Sequence, residues 1–284
     1  MKMGVRSKKH IVTFIFHSFV IILGVAMLYP IAWMIASSLK PSDEVFKNAG
    51  SLIPSEFVWS NYTEGWKGFG NTSFSTFFKN SFVVTVIAVI GQVSSSAIVA
   101  YGFTRIRFPG RKIMFTAMII TMLLPAQILL IPQYIMFGQF GWINTYLPLI
   151  VPYYCGSAFF IFLIMQFIQG IPKELDESAF IDGCGKFRTF VQIILPLATP
   201  AIATTTVFSF YWKWDDFMGP LLYLQTPAKY TVSIALKCFA DPSAVTNWGA
   251  MFAMSSLSLI PSFVIFICFQ KYLVEGISTT GLKG

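Results

Sequence analysis

The chain has 284 residues, of which 55% are apolar and only 11% are charged, and its formal net charge is +8. Soluble domains carry about twice this share of charged residues, so the composition excludes an ordinary soluble protein. It predicts an all-α integral membrane protein, because a chain this apolar must satisfy its backbone groups internally within the bilayer.

Charge-free runs divide the chain into six predicted transmembrane helices, since a helix needs about 20 apolar residues to cross the hydrocarbon. The third run is too long for one crossing, and it is predicted to fold back at residues 137–144. The predicted spans are 11–37, 80–104, 113–134, 146–169, 193–212 and 250–272, and together they form a membrane domain over 11–274. The remaining segments are an N-terminus at 1–10, loops at 40–79, 172–192 and 225–249, and a C-terminal tail at 275–284.

Four prolines are predicted to bend or end their helices, because proline lacks the backbone N–H that a continuous helix needs. They are Pro125 and Pro132 in the third span, and Pro196 and Pro200 in the fifth. In membrane helices such breaks occur where protein or a cavity covers them, which is compatible with a pathway lining. A purely architectural bend is an equally good interpretation.

The distribution of Lys and Arg predicts the orientation, because these residues accumulate in cytoplasmic loops. Most of the 20 basic residues lie in the two termini, the 105–112 turn and the 172–192 loop, so these segments are predicted to be cytoplasmic. The outer loops are close to neutral. The basic charge is therefore a topological signal, and no nucleic-acid partner is expected. The first apolar run is too long for a signal peptide and is interpreted as a retained span.

Residues suited to metal binding or catalysis are few and scattered. They are Cys155, Cys184, Cys238, Cys268, His10 and His17, and no pair has metal-ligand spacing. The spans contain no nucleophile with an acid–base partner, so no catalytic residue and no metal are predicted. A phosphate-binding loop of the Gly-x-x-x-x-Gly-Lys-Ser/Thr type is also missing from the sequence, so the chain is not expected to bind ATP itself.

The charged loop at 172–192 predicts a two-helix hairpin between the fourth and fifth spans. Acidic residues from Glu174 to Glu177 fall in a first helical turn, where the helix dipole favours them. Gly183 and Gly185 supply the backbone freedom for a sharp turn. A second helix follows with an apolar stripe at helical spacing, formed by Phe187, Phe190, Val191 and Ile194.

These residues also carry a resemblance to a known family. Glu177-Ser178-Ala179, followed by Asp182-Gly183 and later by Ile193-Ile194-Leu195-Pro196, resembles the EAA loop of permease subunits in binding-protein-dependent ABC importers. The similarity extends over nearly the whole chain and is greatest to the carbohydrate-uptake, maltose-type branch. The other matching motifs are Asn61-Tyr62 before Trp66, Asn80-Ser81, Ala100 to Arg105, Phe108-Pro109-Gly110, Leu124-Pro125 and residues 276–284.

The resemblance implies a type I importer permease (MetI-like) fold with six transmembrane helices and a cytoplasmic EAA coupling hairpin. It implies ABC ATPase subunits that use ATP and Mg, an extracytoplasmic solute-binding protein, a sugar substrate and a second permease subunit. The family favours a different chain as this second subunit, and a copy of the same chain stays an open alternative. No cofactor is expected on this chain. The implied location is the cytoplasmic membrane of a bacterium, in contact with lipid.

The resemblance also implies roles for individual residues. The hairpin residues expected to contact the ATPase are Glu174, Glu177, Ser178, Ala179, Asp182, Gly183 and Gly185. Among them Glu177 would pair with a basic residue of the ATPase, Ala179 would allow close approach and Gly183 would permit the turn. The tail residues Thr280, Gly281, Lys283 and Gly284 are expected to contact the ATPase as well.

Candidates for the rim of the substrate pathway come from the outer end of the fifth span, where charge lies among aromatic residues. They are Trp212, Trp214, Asp215 and Asp216, although anchoring in the lipid headgroups is the simpler role for the tryptophans.

Two other classes of protein fit the sequence less well than the importer permease does. A secondary, ion-coupled carrier would need ionisable groups near the membrane midplane and an inverted repeat, and neither is visible in the sequence. A membrane-embedded enzyme would need a catalytic group within the spans, and none is present.

Overall fold

The computed structural model describes residues 5–239 and 247–281, and the regular elements in these ranges are helical. In chain order the α-helices are α1 Val5–Ser38, α2 Glu44–Lys47, α3 Ser60–Lys67, α4 Phe74–Arg105, α5 Arg111–Leu123, α6 Ala126–Gln139, α7 Leu147–Ile150, α8 Ala158–Gln169, α9 Glu174–Ile181, α10 Lys186–Thr189, α11 Leu195–Leu197, α12 Thr199–Trp214, α13 Met218–Tyr223, α14 Val232–Phe239, α15 Trp248–Ser258 and α16 Ile260–Gly281. Two 3₁₀ turns, Val151–Cys155 and Pro227–Lys229, and a π-helical segment, Phe190–Ile194, lie between them.

Several of these helices are long and apolar enough to cross a membrane. Four stretches meet the requirement alone: Ile11–Ser38, Phe74–Arg105, Leu147–Gln169 and Trp248–Tyr272. Two bent pairs meet it together, namely Arg111–Leu123 with Gln127–Gln139 and Lys186–Leu197 with Thr199–Trp214. The described part of the chain is therefore all-α, as predicted, and it offers up to six spans by length and composition when each bent pair counts as one.

Both bent pairs break at prolines that the sequence predicted to bend or end their helices. Leu124, between α5 and α6, has an extended conformation before Pro125, which is the conformation that a following proline favours. Pro200 lies in the first turn of α12, and the axes before and after this break differ by 78°. Pro132, by contrast, lies within α6.

The helices form two compact units, and the first consists of Met1–Gly68 with Leu236–Ser258. Within it, α15 packs against α1 and α3. The buried amide of Asn61 donates hydrogen bonds to the carbonyls of Ser38 and Lys40, both at 2.9 Å. This contact ties the end of α1 to α3.

The loop that follows α1 is ordered by further polar contacts. Lys40 is fully buried, and its ammonium group donates to the carbonyl oxygens of Asn48 and Ser51. The hydroxyl and backbone N–H of Ser55 donate to the carboxylate of Glu44, and the hydroxyl contact lowers the pKa of Glu44 most. The outer loop predicted at 40–79 thus contains two short helices, and α4 already begins at Phe74, before the predicted span limit of 80.

The second unit consists of Phe69–Ala235 with Leu259–Gly284. Here α4 packs against α8 and α12, and α12 packs against α16. A core of buried apolar residues connects α4 and α8 with the π-helical segment, and its members include Ala97, Ala100, Tyr101, Ile164, Ile168, Phe190 and Ile194. This core supports the segment that the sequence predicted to be a hairpin.

Two asparagines secure the loop after α13 in the same unit. Asn144 has a left-handed backbone with φ 59°, and its side-chain oxygen accepts hydrogen bonds from the backbone N–H groups of Gln225 and Thr226. The Asn80 amide donates to the carbonyls of Ala228 and Tyr230. The beginning of the predicted outer loop 225–249 is therefore fixed to two other parts of its unit.

Candidate functional site

The hairpin, defined here as α9, the turn 182–185 and α10, forms as the sequence pattern predicts. Three acidic residues lie in the first turn of α9, where they complement the helix dipole. Gly183 has φ 79°, and its N–H donates to the Phe180 carbonyl while the Cys184 N–H donates to the Ala179 carbonyl. This pair of bonds is the Schellman arrangement, which requires a left-handed residue at the position of Gly183. Gly185 has φ −74°, an angle open to any residue.

The predicted contact residues of the hairpin differ in exposure. Glu174, Glu177, Ser178 and Asp182 are exposed, and so are both glycines. Ala179 is the exception, because only 4% of it is exposed and it lies against its own chain. Its small side chain therefore serves packing within this protein, and its proposed role toward a partner stays a prediction.

Three large apolar side chains project from the hairpin. Phe180 is 78% exposed, Ile181 84% and Phe187 76%. The predicted stripe on the second helix is divided, since Phe190 and Ile194 enter the core while Phe187 and Val191 do not. Exposed apolar residues are ordinary in lipid-facing helices, but α9 is a short helix bearing three acids in its first turn. An apolar patch on such a segment is typical of a protein–protein interface.

An ion pair that the sequence did not predict holds the first arm of the hairpin. Nε of Arg105, the last residue of α4, lies 3.1 Å from Oδ2 of Asp176 on α9. The contact is ionic rather than an aligned hydrogen bond, and the two side chains are only 6% and 22% exposed. Nη2 of Arg105 also donates to the carbonyls of Ile168, at 3.3 Å, and Ile171, at 2.6 Å. One side chain thus connects the ends of α4 and α8 with the hairpin.

Tyr101, one turn earlier on α4, holds the second arm. Its hydroxyl donates to the Lys186 carbonyl at 3.1 Å, and its ring lies 5.0 Å from the ring of Phe190. Phe190 opens the π-helical segment, a geometry that often marks functional sites in helices. The hairpin therefore rests on α4 through both of its arms.

The four candidates for the substrate pathway have different surroundings. Trp212 is half exposed, and its ring lies 5.5 Å from Phe159 and 5.2 Å from Phe160 on α8. Trp214 is buried and stacks on Phe210 at 5.7 Å. Asp215 is exposed. Of this set, Trp212 and Asp215 present the most surface to a solute.

Asp216 forms a largely buried ion pair with Lys213, which lies one residue beyond the predicted fifth span, 193–212. The Lys213 ammonium lies 2.9 Å from Oδ2 of Asp216, and its side chain is 1% exposed. It also lies 4.6 Å from the ring centre of Tyr153, a cation–π contact. Oδ1 of Asp216 accepts the Gly219 N–H at 3.0 Å. These contacts satisfy both charges within the chain.

The predicted tail contacts are only partly covered by the structure. Thr280 and Gly281 belong to α16, whereas Lys283 and Gly284 lie outside the described residues. No group of three His, Cys, Asp or Glu side chains that could hold a metal occurs within residues 5–239 and 247–281.

Comparisons with known proteins agree with these observations. Residues 92–279 match the family described as binding-protein-dependent transport system inner membrane component. The probable ABC transporter permease protein YurM of Bacillus subtilis (strain 168) is 33% identical over 267 residues, which cover 94% of this chain and 87% of the relative. The arabinooligosaccharides transport system permease protein AraQ of the same strain is 30% identical over 268 residues, 94% of each protein.

A solved structure shares the fold. It is described as a bacterial ABC transporter involved in the import of the acidic polysaccharide alginate. The matched chain superposes with a TM-score of 0.82 at 21% identity, covering 96% of this chain and 100% of that one. None of these matches supports an ion-coupled carrier.

Proposed function

Because the chain belongs to the family of binding-protein-dependent transport system inner membrane components, and is therefore a permease subunit of an ABC importer, we propose that it moves a sugar or oligosaccharide into the cell. Permease subunits of this family are the non-catalytic membrane components of their importers. The saccharide class rests on relatives such as AraQ, whose name specifies arabinooligosaccharides. The alignment covers 94% of that relative's length.

The observation that carries the mechanism is the apolar surface of the hairpin, formed by Phe180, Ile181 and Phe187. In water this surface would be unfavourable, so it needs a protein partner. The partner is an ABC ATPase subunit, which uses ATP and Mg. Glu177, exposed beside this surface, pairs with a basic residue of that subunit. Glu174, Ser178 and Asp182, which are also exposed, lie at the edge of the same contact.

Transport follows from movement of the hairpin. When ATP closes the ATPase dimer, the hairpin moves with it as a rigid lever, and the six spans alternate between outward-open and inward-open arrangements. The permease pair consists of this chain and a different second chain. An extracytoplasmic solute-binding protein delivers the sugar to the outer loops, and the tail from Thr280 onward contacts the ATPase. Both termini lie in the cytoplasm of a bacterial cell.

Trp212 is the best of the pathway candidates for contact with the sugar. Its half-exposed ring stands next to Phe159, which is 40% exposed, so the two form an aromatic surface. Aromatic faces offer a sugar ring a large apolar contact at little entropic cost. Asp215, three residues further along the chain, is exposed and can accept hydrogen bonds from sugar hydroxyls.

The test is co-purification of the tagged full-length chain in mild detergent, with the accompanying proteins identified by mass spectrometry. We expect an ABC ATPase and a second permease. A variant with Phe180→Ser and Ile181→Ser should lose the ATPase and keep the permease. The matched control is Phe46→Ser with Ile53→Ser, which removes a similarly exposed pair from the outer loop, where the two residues are 54% and 75% exposed.

ATPase activity of the reconstituted complex completes the test. It should rise in the wild type, but not in the hairpin variant, when the solute-binding protein is added with an oligosaccharide. A chain that purifies alone and transports solute without ATP would overturn the proposal in favour of an ion-coupled carrier.

A further inference from the structure

A basic cavity of about 280 Å³ lies between the hairpin and the end of α4, and the ATPase-coupling role does not explain it. Its basic lining residues are Arg105, Arg107, Arg111, Lys173 and Lys186. Only two carboxylates, those of Asp176 and Glu177, face the same space. Since Asp176 is paired with Arg105, the Glu177 carboxylate is the one acidic group left to balance the four remaining basic residues of the lining.

The four other cations are not neutralised by this chain. None of Arg107, Arg111, Lys173 and Lys186 forms an ion pair with any carboxylate of the described residues. The preference of basic residues for the cytoplasmic side accounts for their presence but not for their convergence on one cavity. A cavity with this excess of positive charge is suited to an anion, and guanidinium groups bind phosphate oxygens in a bidentate manner.

A second cavity, with three apolar and three polar lining residues, adjoins the basic one, and Arg111 lines both. This second space measures about 390 Å³, and apart from Arg111, Lys112 and Gln169 its walls are the side chains of Phe103, Phe115 and Met165. Phe103 and Met165 lie close to the ends of the candidate spans Phe74–Arg105 and Leu147–Gln169, so this cavity lies beside the ends of these spans. A cationic end joined to an apolar wall matches the two parts of a phospholipid.

We propose that this double cavity binds an anionic phospholipid, with the phosphate between Arg107 and Arg111 and an acyl chain along Phe103, Phe115 and Met165. Basic pockets at the cytoplasmic ends of transmembrane helices are known to suit anionic headgroups. The basic cavity is at the small end of the range for ligand pockets, so it accommodates a headgroup but not a whole lipid. The bound lipid would fill the space behind α9 and brace the hairpin. The inference rests on the proposed function only for its assignment to the cytoplasmic leaflet.

The test is native mass spectrometry of the full-length chain, expressed without partner subunits, purified in detergent and stripped of lipid. Dimyristoyl phosphatidylglycerol and dimyristoyl phosphatidylcholine are titrated separately, and inorganic phosphate serves as a competitor. We expect phosphatidylglycerol to bind at least tenfold more tightly than phosphatidylcholine. The variant with Arg107→Gln and Arg111→Gln should bind phosphatidylglycerol roughly twentyfold more weakly, because each cation near an anionic headgroup contributes roughly fivefold. Arg111→Gln alone should give about a fivefold loss and covers the case in which the double variant does not fold.

The control variant, Arg188→Gln with Lys271→Gln, removes the same amount of charge from positions that do not line either cavity. It should bind like the wild type. Equal binding of the two lipids, or equal weakening in the control, would overturn the proposal. Displacement of the lipid by millimolar inorganic phosphate would indicate a free-anion site instead of a lipid site. Because no ATPase is present in the measurement, these outcomes leave the coupling role untouched.

Discussion

Gly183 is the residue on which the turn of the hairpin depends. Its left-handed backbone lets two N–H groups close the end of α9, and no atom lies within 4 Å of the place where a Cβ would stand. An alanine would therefore meet no obstacle, and its effect would come from the backbone angle alone. The cost of a left-handed conformation for an L-residue is about 1 kcal/mol.

The first prediction compares the two glycines of this turn. Gly183→Ala should lower the free energy of unfolding by about 1 kcal/mol and weaken retention of the ATPase. Gly185→Ala should change neither, because Gly185 has φ −74° and open space around its Cβ position. Thermal unfolding of the purified chain measures the change in stability, and co-purification measures how much ATPase each variant retains. If Gly185→Ala were the more harmful change, the assignment of the turn would be wrong.

At the scale of elements, α4 connects the hairpin with the membrane helices. Arg105 binds Asp176 of α9 and two carbonyls at the end of α8, while Tyr101 binds the second arm. A displacement of the hairpin would therefore be passed to α4 and α8 together. This arrangement gives a physical basis to the lever role, since a loosely attached hairpin could move without moving the spans.

The second prediction concerns this attachment. Arg105→Gln should destabilise the protein by about 3 kcal/mol, because it leaves Asp176 and two carbonyls without a cationic partner in a buried setting. The control is Lys67→Gln, which breaks the exposed pair with Glu64 and should cost less than about 1 kcal/mol. Denaturant unfolding measures both values. In the reconstituted importer, Arg105→Gln should also raise the ATP consumed per sugar transported. If Arg105→Gln and Lys67→Gln lowered the free energy of unfolding by similar amounts, the Arg105 contacts would not be what holds the hairpin to α4.

The third prediction concerns the packing of α4. A Cβ at Gly91 would overlap the ring of Tyr154, so Gly91→Ala should destabilise by about 1 to 3 kcal/mol. Gly102 lies on the same helix with no atom within 4 Å of its Cβ position, and Gly102→Ala should stabilise by up to about 1 kcal/mol through helix propensity. The unfolding temperature should therefore fall for Gly91→Ala and rise for Gly102→Ala. Equal effects would mean that the 3₁₀ turn with Tyr154 does not pack against α4.

At the scale of the whole molecule, local chemistry decided which features were predictable. The spans follow from apolar length, the breaks from Pro125 and Pro200, and the turn from Gly183, and each depends on neighbours in sequence. The Arg105–Asp176 pair could not be predicted because it joins residues far apart in the chain, and the excess of basic residues offered a topological explanation for Arg105. The burial of Trp214 and Lys213 was also missed, because it depends in part on the distant residues Phe78 and Tyr153 as well as on local partners. The sequence did contain an indication of a buried ion pair at Lys213, because a cation at the end of an apolar span needs a partner.

The orientation of the molecule rests on the charge distribution. Basic residues gather in the 105–112 turn, in the hairpin loop and at the termini, and the outer loops carry nearly equal numbers of acids and bases. If the positive side is cytoplasmic, the hairpin and the basic cavity face the ATPase and the inner leaflet. An inverted molecule would expose its apolar hairpin outside the cell and would remove the basis for both proposals.

The fourth prediction tests this orientation with single cysteines in a chain whose native Cys155, Cys184, Cys238 and Cys268 are replaced by Ser. Lys47→Cys, in the outer loop, should react with a membrane-impermeant maleimide on intact cells, because the Lys47 side chain is 75% exposed. Arg188→Cys, on the exposed hairpin, should react only after the membrane is opened. Both labels are read on the purified chain by mass shift, and transport by the cysteine-free chain shows that it is folded. The reverse pattern would place the hairpin outside and contradict the positive-inside assignment.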